Sequence, residues 1–438
     1  MLETFWKIKF QLGDHISRDD HQLKIGKRII LSKSFIGSPR WYNSQFQDGM
    51  AICRKYHKPD FFITMTCNTN WKEIQVELRQ GEDAKNRPDI VARVFKQKKD
   101  QLIKDIKYGQ VLGKVPALMW VIEFQKRGLP HTHILVILED EDRITCSEDV
   151  DNVISAELPP DPESFPPGPK KEQAKRLEKI ILQNMVHGPC GKVNPSCPCM
   201  VEGKCSKGYP KNFADKTIVN SNKAYPEYKR LDPAKGGRTV VVIIKHKEYV
   251  LDNSCIVPYS PFLSLRFSCH INIELCTSPT ASKYLFKYQT KGPDRAMVRT
   301  EIETDSENVK DEIEEYVDLR SIGSSEACWH IFNFNIAKKF PAVIALRVHL
   351  EEEQHIVFDI GNEEETLETQ RCTELTAFFD HNLQNPSTKE TYVDFPEKFT
   401  WNNRKKEWNA RKNNMDTIGR VHTVHPVAGL LPKNAVTP

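Results

Sequence analysis

Two pairs of residues carry spacings that place both side chains of each pair on one face. Pro130-His131-Thr132-His133 runs into the apolar stretch Ile134-Leu135-Val136-Ile137-Leu138. Alternate residues of a strand point the same way, so His131 and His133 can grip one cation. Lys283-Tyr284-Leu285-Phe286-Lys287-Tyr288 has the period of a helix, where residues four apart are stacked neighbours. Tyr284 and Tyr288 can then present two phenols to one place. A two-imidazole cation site together with hydroxyl nucleophiles suits breaking and rejoining a DNA strand through a tyrosyl ester. Two imidazoles need a further ligand. Gln125 and Glu123, on one face of the preceding strand, are the first candidates, and Glu274 is a third. Taken singly, each pair is more often packing than chemistry. Their settings argue otherwise, because the histidines follow a sharp turn and Lys283, Lys287 and Lys291 form a basic stripe beside the tyrosines, suited to contacting phosphate.

A second cluster lies in His187-Gly-Pro-Cys190, Cys197-Pro-Cys199 and Gly203-Lys204-Cys205. These five soft ligands can supply a four-coordinate zinc site, although the spacing is not that of a standard finger. Twelve cysteines in 438 residues do not make a disulfide scaffold, and a local cluster in a reducing compartment is better read as a metal site.

The elements that must position these residues follow from periodicity. Residues 61–67 read as a strand with Thr64, Thr66 and Asn68 on one face. Residues 89–107 read as a helix burying Val91, Val94, Phe95, Leu102 and Ile106 behind Pro88. Residues 116–124 and 133–138 form a hairpin, with the histidines just after its turn. The acidic, proline-rich stretch 139–168 reads as a loop or linker, and 170–185 as a charged helix leading into the cysteines. Residues 239–244 form a β-branched run. Residues 267–276 alternate, with His270, Asn272, Glu274 and Cys276 on one face. Ser278 and Pro279 then open the tyrosine helix, and Gly292-Pro293 ends it.

Composition is that of an ordinary soluble protein, 39% apolar and 28% charged, and no apolar run approaches the ~20 residues of a membrane span. The N-terminal residues lack a secretory layout, so an intracellular protein is expected. Charge is segregated. Residues 170–247 carry 17 Lys/Arg against 6 Asp/Glu, consistent with a basic surface facing a polyanion. Gly-Lys is never followed by Ser or Thr, so the chain carries no P-loop for an ATP-driven motor.

Taken together the motifs resemble Helitron transposon Rep proteins. The resemblance is carried by Phe62-Ile63-Thr64-Met65-Thr66-Cys67-Asn68 with Trp71, by Arg87 to Phe95, and by Val121 to Leu135 around the histidines. His187-Gly188-Pro189-Cys190, Gly203 to Lys207 with Tyr209-Pro210-Lys211, and Lys283 to Tyr288 with Lys291-Gly292 and Asp294-Arg295-Ala296 complete it, over roughly residues 20 to 420. It implies the Helitron helicase-like domain, an endonuclease of the HUH class. The fold implied is α+β, a ferredoxin-like central antiparallel sheet flanked by helices, with a cysteine-rich insertion. The domain division expected is an N-terminal extension (1–50), an endonuclease core (51–300) with an insertion at about 139–238, a C-terminal part (301–420) and a tail (421–438).

The resemblance also implies Mg²⁺ or Mn²⁺ at His131 and His133, with Gln125 where related initiators carry a third ligand. Tyr284 and Tyr288 would be the two nucleophiles, acting on single-stranded DNA in rolling-circle transposition, in the nucleus and with no membrane partner. Three departures stand out: Asn68-Thr69 replaces Asn-Pro, the segment 289–294 is altered, and the helicase half of the family's polypeptides is missing from this sequence. The motor is therefore expected as a separate partner. The alternative is a decayed or domesticated fragment acting only as a DNA-binding module.

Overall fold

The computed structural model describes residues 34–36, 38–124, 129–191, 194–220, 222–244, 247–278, 322–349, 372–387, 390–412 and 416–421. Among them the fold is α+β, built on one five-stranded antiparallel sheet. Its strands are β1 (Phe61–Thr66), β2 (Ala117–Phe124), β3 (Pro130–Ile137), β4 (Ile271–Leu275) and β5 (Ala337–Phe340), in the spatial order β4-β1-β3-β2-β5. The histidine strand β3 is central, paired with β1 on one side and β2 on the other. The strand begins at Pro130, so both histidines lie within it.

Period-two alternation divides the side chains between two layers. One face carries Phe61, Ile63 and Met65 of β1, Leu118, Trp120 and Ile122 of β2, Ile134 and Val136 of β3, and Ile271, Ile273 and Leu275 of β4. Helix α2 (Pro88–Lys107) covers it with Val91, Val94, Phe95, Leu102 and Ile106, the stripe expected from the sequence. Helix α4 (Ser324–Ile331) adds the fully buried Trp329, whose ring meets Phe95, Phe124 and Phe334. The opposite face is apolar at one end only. There Ile52 of α1 (Pro39–Tyr56) packs with Phe62, Met119, Leu135, Ile137 and Cys276. Helix α1 starts at Ser38, whose hydroxyl accepts from Trp41 N at 3.1 Å, and the buried Asp48 ties it to Lys339 of β5 and to Arg420.

Between β3 and β4 the chain builds a large excursion. Its acidic opening is more structured than a linker. Residues 147–153 form a short helix, and Val150, Ile154, Ala156 and Leu158 are buried. These few apolar side chains are spaced so that all reach the core, which a compositional reading dominated by acids and prolines hides. Helix α3 (Pro169–Asn184) follows as expected and packs through Ile181 against Met185, Ile256 and Tyr259. Arg230, 3% exposed, organises the return by donating to the carbonyls of Ala156, Asn253 and Ile256 at 2.9, 2.5 and 2.7 Å. Only Ile271–Leu275 of the alternating stretch is strand, because Pro261–Phe267 turns as a helix whose main chain receives Trp71 Nε1–H at the carbonyl of Phe267, 2.7 Å away. Among the described residues no helix is long and apolar enough to cross a membrane.

Candidate metal-binding cleft

The polar end of the α1 face is where the histidines lie. Antiparallel register sets His131 against Thr66 on β1 and Glu123 on β2, and sets His133 against Thr64 and Val121. Thr66 Oγ1 lies 2.7 Å from His131 Nδ1, and Thr64 Oγ1 lies 3.0 Å from His133 Nδ1. Each imidazole is thus held at its inner nitrogen by a threonine of the same neighbouring strand. Both rings are nearly buried, at 7% and 6% exposure, and Phe62 stacks parallel to His133 with centroids 5.6 Å apart. Rotation of either ring would break a hydrogen bond inside a packed layer, so the two Nε2 atoms are held in place.

Glu123 supplies the carboxylate. It reaches diagonally across the hairpin, and its Oε2 accepts from His133 Nε2 at 2.7 Å. With Nε2–H given to the carboxylate, the neutral ring leaves Nδ1 to accept from the Thr64 hydroxyl. A cation placed at Nε2 would reverse the tautomer, with Nδ1–H donating to Thr64, and a hydroxyl serves both states because it can donate and accept. Burial, with the neighbouring His133 pushing the same way, holds the His131 imidazole down at about 4. It is therefore neutral near pH 7, as a ligand must be. The two imidazoles and the Glu123 carboxylate thus line one polar end of the sheet, with Glu123 hydrogen-bonded to His133.

The sequence offered three further ligands. Glu123 is in place, whereas Gln125 lies outside the described residues. Glu274 faces the same side but sits on β4, two strands from β3, where it accepts from Asn272 at 3.3 Å and neighbours Tyr228 and Arg230. That separation, about 10 Å, takes it out of reach of the imidazoles. The nucleophile pair Tyr284 and Tyr288, with Lys283, Lys287 and Lys291, also lies outside the described residues. Sequence reasoning missed the orienting role of Thr64 and Thr66, and with it His270, whose Nδ1 shares Thr66 Oγ1 at 3.3 Å. The alternation Thr64-x-Thr66 mirrored in His131-x-His133 was the available signal; the register that joins the two pairs was not.

The cysteine cluster forms a second centre. His187, Cys190, Cys199 and Cys205 bring one ligand atom each to within 4.8 Å of one another, a group that could hold a metal such as zinc. Cys205 Sγ lies 3.3 Å from His187 Nε2. Cys197, the fifth residue of the motif, is not part of that group and contacts Cys199 Sγ at 3.5 Å.

No curated protein matches the chain. Residues 6–136 do match a family model, and the match ends inside β3, just beyond both histidines. Over residues 6–136 the chain is similar to the family described as the Helitron helicase-like domain at the N-terminus.

Proposed function

We propose that the chain is a metal-dependent, HUH-type nickase of single-stranded DNA, working by tyrosyl transfer in rolling-circle transposition. One observation carries the reading: two imidazoles on the central strand, each locked at Nδ1 by a threonine, with a carboxylate at hydrogen-bond distance from one Nε2. The antiparallel sheet with the histidine strand at its middle supports the ferredoxin-like form of the fold.

In the chemistry proposed, the phenol of Tyr284 or Tyr288 gives up its proton to water and its oxygen attacks the scissile phosphorus. The P–O3′ bond breaks, the 3′-oxygen leaves and takes up a proton, and a 5′-phosphotyrosine remains. The second tyrosine serves the transfer step. His131, His133 and Glu123 would hold the divalent cation, which when bound neutralises phosphate charge and steadies the departing oxygen. The chain's own groups orient this site. The threonines hold the imidazole rings in orientation, and Phe62 and the sheet exclude water from the rings' inner edges.

The reading sets a condition on topology. Strand β4 ends with Leu275 opposite Phe61, at the end of β1 away from Thr66. The chain beyond Ser278 must therefore turn back along the α1 face to bring the phenols to the histidines. A helix rising ~1.5 Å per residue would span ~9 Å over the six residues from Ser278 to Tyr284. Asn272, level with Thr64, is about 10 Å back from Leu275.

Labelled single-stranded oligonucleotides of varied sequence, incubated with the full chain and Mn²⁺, test the proposal. A covalent protein–DNA adduct lost in Tyr284→Phe/Tyr288→Phe and in His131→Ala is expected. Salt-sensitive binding with no adduct for any sequence would replace it with the decayed or domesticated binding module. A nuclear location goes with either outcome.

A further inference from the structure

The segment from His187 to Lys211 contains no buried side chain among its described residues. Its regular structure, among the described residues, is a two-residue hairpin, Met200–Val201 with Lys204–Cys205. Such a stretch cannot hold its shape through an apolar core and needs a cross-link. Its two ends are nonetheless pinned side by side to one turn. His187 N donates to Cys255 O at 2.9 Å, and Lys211 N donates to Ser254 O at 2.9 Å. Across that base the His187 ring stacks on Tyr209 with centroids 4.2 Å apart, and Lys211 Nζ lies 4.8 Å from the centre of the same ring.

We propose that His187, Cys190, Cys199 and Cys205 bind one structural Zn²⁺ that closes this loop and docks it on the 253–256 turn, with Cys197 as a thiol outside the coordination shell. Three thiolates and one imidazole complete a tetrahedral shell, leaving no open position, as in structural rather than catalytic zinc sites. The four ligand atoms already lie close enough together for one ion to touch all of them. The stack of His187 on Tyr209 carries the tie inward, because the Tyr209 side chain faces Arg230 and Glu274 and so reaches the polar face of β4. The metal thereby holds the excursion against the sheet that carries the histidines. This assignment does not rest on the nickase reading.

The full chain, purified from zinc-supplemented cells, should retain one equivalent of zinc through gel filtration by elemental analysis. Cys190→Ser, Cys199→Ser, Cys205→Ser and His187→Ala should each lower that equivalent toward none, while Cys197→Ser keeps it. Cobalt replacing zinc should give the visible bands of a tetrahedral ion with thiolate charge transfer, unchanged in intensity in Cys197→Ser. Chelation should open the loop to trypsin at Lys204 and Lys207 while the far-ultraviolet circular dichroism of the sheet persists. Loss of zinc in Cys197→Ser equal to that in Cys199→Ser, iron in place of zinc, or a trypsin pattern indifferent to chelation would overturn the assignment.

Discussion

Replacing Thr66 by valine keeps the volume of the side chain and removes one hydroxyl. That hydroxyl meets two rings, His131 Nδ1 at 2.7 Å and His270 Nδ1 at 3.3 Å. Loss of an outer partner of a ligating histidine typically weakens metal affinity by roughly 10- to 100-fold, about 1.4–2.7 kcal/mol. Thr66→Val should fall toward the upper end, because it removes the shorter of the two threonine bonds, 2.7 Å against 3.0 Å, from a hydroxyl that also meets His270. Thr64→Val should fall toward the lower end, because it removes one bond of 3.0 Å from a ring that Phe62 also holds by stacking. Thr66→Ser, which restores the hydroxyl, should bind within a few-fold of the wild type. A buried ring nitrogen left without a partner also costs about 1–3 kcal/mol of folding stability, measurable as an earlier urea midpoint. The assay is loss of the free Mn²⁺ electron paramagnetic resonance signal on titration, with stoichiometric zinc present so that the cysteine cluster does not take up manganese. Should Thr66→Val bind manganese as tightly as the wild type while His131→Ala does not, the hydroxyl does not orient the ligand. Should His131→Ala and His133→Ala both bind as the wild type, there is no cation site on β3.

Three further outcomes are expected. Arg230→Met leaves three buried carbonyls without their donor and should lower unfolding stability by about 3–5 kcal/mol in urea titrations; a loss below about 1 kcal/mol would contradict the organising role given to this side chain. Asp48→Asn removes the charge shared by Arg420 and Lys339 in a buried setting and should cost a similar amount, with the midpoint shift checked by intrinsic fluorescence. Glu274 has its carboxyl pushed up by burial, against the opposing pull of Tyr228, Asn272, Arg230 and Lys211. Folding therefore favours its protonated form. The associated stability is complete below the ordinary carboxyl value and is lost as pH rises through the raised one. Glu274→Gln should accordingly be more stable than the wild type at about pH 8 and no more stable at about pH 4, and a gain confined to acid would reverse the argument.

The elements nearest the site were legible because their burial is one-sided. Alternation marks 61–66 and 271–275, and the i, i+3, i+4 stripe marks 88–107; each was readable without knowing its partners. The candidate zinc ligands were legible by type, since cysteine and histidine at short spacing have few other reasons to gather. What escaped depends on long-range pairing. Thr64 and Thr66 acquire their role only through register with a strand sixty-five residues away. The edge strand Ala337–Phe340 has too short a pattern, Ala-Lys-Lys-Phe, to announce itself, and owes its conformation to β2. Whether Cys197 or its neighbours would ligate could not be chosen from spacing alone, because the hairpin at 200–205 decides which sulfurs converge.

The order of strands has a consequence for where this polypeptide can be divided. The family match stops at residue 136, inside the central strand, yet both outer strands of the sheet are contributed by sequence far downstream. A fragment cut there would lack the outer partners of β1 and of β2. It would expose the main-chain donors and acceptors of Phe61–Met65 on one flank and Leu118–Val121 on the other, with apolar side chains beside them. Unprotected borders of that kind recruit other chains, so such a fragment should precipitate rather than fold. The histidine site is therefore the property of a closed circuit of chain running at least to Phe340, and truncation experiments must respect that span.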